Sequence, residues 1–202
     1  MKNEINRIAD RLVKAYNTNT VINPIPVRYC KNINLANKLR KLCEDQIKDE
    51  TIGIKAGGTG IQALKKLKEK EPFTAKVFKK RFVKSGKTVK INQHTKGIEV
   101  EVYYFIKKSF FDFKGKITKS NVTKFIKFMG PCFEIVGFRQ RNKKFTYLGD
   151  ICGDFGFNIR FVVGRKTKFK KLNLNNLKTS LVSKKNGIKV NGNTNIVYIN
   201  PL

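Results

Sequence analysis

The sequence predicts an α+β chain, with helices first and a mixed β core after them. Three observations carry that expectation. Apolar residues recur at helical spacing near the N-terminus, short alternating or β-branched runs dominate from about residue 76 onward, and turn residues punctuate those runs. No regular alternation of strand and helix points to a βαβ repeat. Residues 1–50 are expected to form an N-terminal helical segment. Residues 51–202 are expected to form the β core, the two making one compact unit.

The elements follow in order. Residues 2–16 read as a helix with Ile5, Ile8, Leu12 and Ala15 on one face. Residues 17–32 carry Asn, Thr, Pro24 and Pro26, which suit a loop. Residues 34–48 place Leu35, Leu39, Leu42, Cys43 and Ile47 on one stripe of a second helix. A short strand is expected at 51–55, a glycine-rich turn after it, and a helix over 60–69. Strands are then expected near 76–83, 87–92, 98–106, 132–138, 158–163, 178–183 and 194–199. A helix is expected among them, capped by Thr118 or Ser120, burying Val122, Phe125, Ile126 and Met129, and ended by Gly130-Pro131.

Composition narrows the function classes. A chain of 202 residues with 40% hydrophobic content can build a real core. No apolar run approaches the roughly 20 residues that span a bilayer. Met1 to Tyr16 is amphipathic and lacks the continuous apolar stretch of a secretory signal, so a cytoplasmic location and no membrane partner are expected. Cys30, Cys43, Cys132 and Cys152 show no Cys-x-x-Cys spacing, and His94 stands alone, so the ligand clusters of a zinc site are missing. Buried free thiols and a surface histidine are the expectation.

The net charge is +30, from 44 basic and 14 acidic residues. Such an excess suits a polyanion such as nucleic acid. Lysine greatly outnumbers arginine, however, and arginine is the better residue for bidentate phosphate and base contacts. The densest basic stretches are Arg165 to Lys171 and Lys184 to Lys189.

Against that background, the scarce acids are informative. Glu99 and Glu101 lie in the apolar run Gly97-Ile98-Glu99-Val100-Glu101-Val102-Tyr103-Tyr104-Phe105-Ile106. Residues two apart on a strand share a face, so the two carboxylates sit close together and repel. Glu134 lies in a second apolar run, Cys132-Phe133-Glu134-Ile135-Val136. Two readings stand. The pair lies on the wet face of an edge strand beside lysines, or three carboxylates converge on a hard cation such as Mg²⁺, Mn²⁺ or Ca²⁺.

Ile52-Gly53-Ile54-Lys55-Ala56-Gly57-Gly58-Thr59-Gly60 joins a strand to a helix. Its spacing is neither that of a Walker A loop nor Gly-x-Gly-x-x-Gly. Backbone N–H groups there suit a phosphate or carboxylate. Lys55 ends an apolar strand, either snorkelling to solvent or serving a site.

These pieces recur in a familiar order: Gly53-x-Lys55-x-Gly57-x-Thr59, Gln62, Pro72-Phe73, Gly97-x-Glu99-x-Glu101, Glu134-Ile135-Val136-x-x-Arg139, Asp154, Gly164 and Asn200-Pro201-Leu202. The ordered set resembles the 2-keto-4-pentenoate hydratase and 4-oxalocrotonate decarboxylase branch of the fumarylacetoacetate hydrolase family. The resemblance implies a mixed β-roll core and Mg²⁺ or Mn²⁺ held by Glu99, Glu101 and Glu134. It implies a 2-oxo acid substrate that chelates the metal through its carboxylate and ketone oxygens. Lys55 is then the catalytic residue, and Thr59, Arg139 and Asp154 serve the substrate. Relatives commonly assemble into homo-oligomers.

The chain also departs from the family pattern. Lys76-Val77-Phe78-Lys79-Lys80 lacks the acidic residue that members often carry after Pro-Phe. Gly137 and Phe138 replace Asp-Ser before Arg139, and bulky Phe155 and Phe157 follow Asp154. The sequence stops where members continue, so a C-terminal truncation is expected. These departures sustain an alternative, a catalytically degenerate member of the fold that binds polyanions or nucleic acid.

Overall fold

The computed structural model describes residues 3–91, 93–118, 120–169 and 174–197. Asn200-Pro201-Leu202 and the end of the strand expected at 194–199 lie outside them. Helices come first. α1 spans Glu4–Thr18, capped by the Asn3 side chain, which accepts from Asn6 N. A single turn, α2 (Arg28–Lys31), leads into α3 (Ile33–Asp45), whose N-cap Asn32 accepts from the N–H groups of Asn34 and Leu35. Ile5, Ile8, Leu12 and Tyr16 of α1 pack with Leu39 and Cys43 of α3 and with Ile25 from the intervening loop. Leu12 and Leu39 are fully buried. Each such side chain contributes roughly 1.5–3 kcal/mol of apolar burial.

β1 (Thr51–Gly57) pairs antiparallel with β2 (Phe73–Phe78), and α4 (Ile61–Leu67) fills the connection. Gly58 has φ +72°, and a Cβ there would meet Leu148 Cδ1 at 2.5 Å. Only glycine suits both conditions. The strand expected at 76–83 is interrupted by a 3₁₀ turn, Lys79–Arg81, before β3 (Phe82–Lys84) begins. Residues 87–91 form no strand, contrary to expectation.

β4 (Thr95–Ile106) and β5 (Ile126–Gly137) form a long antiparallel pair. The helix expected over 120–129 is the largest correction. The Asn121 side chain accepts from Thr118 N and donates to Lys116 O, which fixes a turn. Only one 3₁₀ turn, Val122–Phe125, follows before β5 begins at Ile126. Pro131 is accommodated because it contributes its carbonyl, to Gly164 N at 2.9 Å, and needs no donor there.

α5 (Leu148–Cys152) packs Leu148 and Cys152 with Ala36, Leu64, Phe73 and Ala75. β6 (Asn158–Val163) pairs antiparallel with β5 and parallel with β3, giving the order β3-β6-β5-β4. β7 (Thr167–Lys168) adds to the start of β5. β8 (Lys178–Val182) and β9 (Lys189–Asn193) form a separate hairpin. Residues Thr194–Ile196, expected as strand, form a 3₁₀ turn. Among the described residues the strands make open sheets, and no helix is long and apolar enough to cross a membrane.

All four cysteines are buried free thiols, as expected. His94 is buried, contrary to expectation, at 7% exposure. A Cβ at Gly137 would lie 1.9 Å from His94 O, so a glycine lets the end of β5 approach the backbone at His94 closely.

Candidate metal centre

Strand register assembles the site. Glu99 and Glu101 share one face of β4 through the two-residue repeat. On β5, Glu134 lies directly opposite Glu99, and Cys132 opposite Glu101. Directly opposed residues share a face, so all three carboxylates project together. One oxygen from each of Glu99, Glu101 and Glu134 lies within 4.8 Å of the others.

Glu134 is 2% exposed, whereas Glu99 and Glu101 reach solvent. Glu134 is thus the buried member of the cluster, and Glu99 and Glu101 are its exposed members. Burial, reinforced by Glu99 and Glu101, raises the Glu134 pKa to about 7 despite the opposing charge of Lys55. The protein around Glu101 raises its pKa as well, with Glu99 adding to the shift. Both shifts mark carboxylates short of positive charge.

Lys55 supplies some of that charge. β1 delivers its Nζ to Glu134 Oε1 at 2.5 Å, and Nζ also donates to Gly156 O at 3.0 Å. The pair is buried, with side-chain exposures of 11% and 3%. Three ionised carboxylates and one ammonium leave two negative charges uncompensated, which matches one divalent cation. The donors are hard carboxylate oxygens, which suit Mg²⁺, Mn²⁺ or Ca²⁺. Cys132 lies on the same face, opposite Glu101. Burial and then the flanking Glu134 and Glu101 push its thiol up to about 12, so it stays protonated.

The Gly156 carbonyl is held by an unusual turn. Phe155, Gly156 and Phe157 have φ of +54°, +66° and +71° in succession. Such angles cost roughly 1–2 kcal/mol for each non-glycine residue and require external support. Phe155 packs on Tyr16 at 4.4 Å, and Phe157 on Phe138 at 4.5 Å between ring centroids. A Cβ on Gly156 would meet Ala75 Cβ at 2.7 Å.

Arg139 and Asp154 sit beneath this turn. Asp154 is fully buried and accepts from Arg139 N at 2.8 Å, Arg139 Nη1 at 3.1 Å and Gln140 Nε2 at 3.1 Å. Arg139 also donates to Asn158 O. Both side chains are thus occupied with each other, with Gln140 and with backbone, and none of these hydrogen bonds runs to the glutamates. Thr59 is half-buried between β1 and α4. The structure therefore brings together Lys55, Glu99, Glu101 and Glu134, with Arg139 and Asp154 bracing the adjoining turn. Sequence reasoning passed over the Gly156 carbonyl. The available signal was a glycine between two phenylalanines immediately after Asp154.

No protein-family model and no curated protein matches the sequence. Two solved structures of 4-oxalocrotonate decarboxylase from Pseudomonas putida G7 are similar. One is complexed with magnesium and adipate, at TM-score 0.73, and one with calcium and acetate, at TM-score 0.76. In both, identity is 17%, and the match covers 98% of this chain and 76% of the other. The chain therefore shares its fold with 4-oxalocrotonate decarboxylase, in the branch that its ordered motifs resemble.

Proposed function

We propose that this chain is a divalent-metal-dependent lyase acting on a short 2-oxo or 2-hydroxy-dienoic acid, by hydration or by decarboxylation. The observation that carries this reading is the convergence of Glu99, Glu101 and Glu134, with Lys55 against the buried member. The magnesium and calcium in the two similar structures, and the dicarboxylate in one of them, support it. Fold alone does not assign chemistry, so the residues must carry the argument.

Glu99, Glu101 and Glu134 would hold the cation. A cation held there would supply Lewis acidity toward the carboxylate and ketone oxygens of a 2-oxo acid. Lys55 does the local work. Two of its three N–H donors are engaged, by Glu134 and Gly156 O, which leaves one for the substrate. Such a donor can pair with a developing negative charge or pass a proton to it. Gly156 O fixes the direction of Nζ, and the Arg139–Asp154 pair fixes the turn that carries Gly156. The phenylalanines flanking Gly156 pack inward on Tyr16 and Phe138, so their bulk serves the scaffold.

The test is turnover of 2-hydroxypenta-2,4-dienoate and of oxalocrotonate with Mg²⁺ or Mn²⁺. Metal-dependent loss of either substrate is expected, with hydration or CO₂ release identifying the reaction. Consumption of neither, together with unchanged metal binding in Glu101→Gln, would refute the reading.

A further inference from the structure

The far end of the β4–β5 pair carries a second surface. Phe105 follows Glu101 on the same face, about 13 Å along the strand at 3.3 Å per residue. Register places Phe105 opposite Phe128, and Phe128 opposite Lys168 of β7, so one row crosses three strands. The connection between the strands lies beside this row. In it Phe110 and Phe113 both pack on Phe125, and Phe111 packs on Phe110. Phe105, Phe111 and Phe113 are 54%, 73% and 40% exposed. Rings this exposed are seldom left to solvent in a cluster.

Cations flank Phe128, the ring that packs on Phe105. Lys127 and Lys166 lie 5.5 and 4.9 Å from the Phe128 ring centroid. Lys107 Nζ donates to the Lys124 backbone carbonyl at 2.6 Å, which fixes its ammonium group against the turn that precedes β5. Lys107, Lys124, Lys127, Lys166 and Lys168 are all exposed. Among the described residues, none of the five pairs with a carboxylate. Asp112 is the one acid in the 105–128 segment.

We infer that this end of the sheet is a binding surface for single-stranded nucleic acid. Unpaired ammonium groups are complementary to phosphates, and exposed rings are complementary to unstacked bases. A duplex offers only its backbone to such a surface and leaves the rings unused. A second copy of this strongly basic chain would place like charges face to face. The β8–β9 hairpin provides an internal contrast. Lys178, Lys184, Lys185 and Lys189 are exposed there too, but the hairpin itself, residues 178–193, contains no aromatic residue. The inference is independent of the lyase reading, because it involves none of the four residues of the metal centre.

The experiment is fluorescence anisotropy with the full chain, using labelled oligothymidylate and oligouridylate about 20 nucleotides long and a duplex of equal length. Single strands should bind more tightly than the duplex. For about five contacted phosphates, log K should fall with log salt at a slope of roughly −3 to −4. Phe105→Ala and Phe111→Ala should each weaken binding roughly 5- to 100-fold at unchanged melting temperature. Lys107→Gln with Lys166→Gln should flatten the salt slope, whereas Lys184→Gln with Lys185→Gln should leave it nearly unchanged. Four results would each overturn the inference: no saturable binding, tighter binding of the duplex, equal sensitivity to the hairpin pair, or a self-association that Phe111→Ala abolishes.

Discussion

The two ends of the β4–β5 pair carry opposite chemistry on one sheet face. At one end Glu99, Glu101 and Glu134 gather three of only 14 acidic residues, with Glu134 buried. At the other, exposed phenylalanines stand near exposed lysines that, among the described residues, pair with no carboxylate. The first end is costly to fold and is specified by register. The second is nearly free to fold and is specified by exposure. A scarce residue type placed where it is costly points more sharply to function than an abundant one left in solvent.

That contrast can be broken at several points. The largest effect should come from Asp154→Ala. It removes the acceptor of three hydrogen bonds and strands the buried Arg139 guanidinium. A loss of about 3–5 kcal/mol is expected, read by urea denaturation. A loss below about 1 kcal/mol would mean that the pair does not brace the Phe155–Phe157 turn.

Lys55→Met should come next. It leaves Glu134 without its counter-charge, so the carboxyl holds its proton to still higher pH and the apo protein loses roughly 1–3 kcal/mol. Turnover should be lost while divalent-metal binding persists. If turnover survives, Lys55 is structural.

A smaller effect concerns pH. The folded protein holds the Glu134 proton up to about pH 7, above the unfolded value. Folding therefore favours the protonated form, and this group's contribution to apo stability declines as pH rises from about 4.5 to 7. A divalent cation must displace that proton, so metal-induced thermal stabilisation should grow between pH 5.5 and 7.5. Stabilisation that is flat across this window would disconnect Glu134 from the metal. The least effect on stability is expected for Phe111→Ala at the other end, within about 0.5 kcal/mol.

Much of the acidic end was legible in the sequence. Alternation alone puts Glu99 and Glu101 on one face, and the apolar setting of Glu134 marks it as unusual. Their convergence was not legible, because it depends on a register that opposes Glu99 to Glu134 across shifts at Thr95/Gly97 and Phe105/Ile106. The basic, aromatic end was obscured by a misread period. Val122, Phe125, Ile126 and Met129 fit a helical stripe, yet Asn121 secures a turn and the chain continues as β5. Phe128 then faces Phe105 across the strands, a relation that a helix would not have created. Arg139 and Asp154 were read as substrate contacts from motif order. Their mutual pairing is a tertiary fact without a local signature.

The central claim is that Glu99, Glu101 and Glu134 hold one divalent cation. The most direct measurement is a titration of the purified chain with Mn²⁺, following water-proton relaxation or the free-ion electron paramagnetic resonance signal. The account predicts saturable binding of one ion per chain at neutral pH. That binding should weaken by more than about 100-fold in Glu134→Gln, beyond what loss of an outer-shell partner costs, with the circular dichroism spectrum unchanged. An absence of saturable binding, or binding that persists in Glu99→Gln, Glu101→Gln and Glu134→Gln alike, would contradict it.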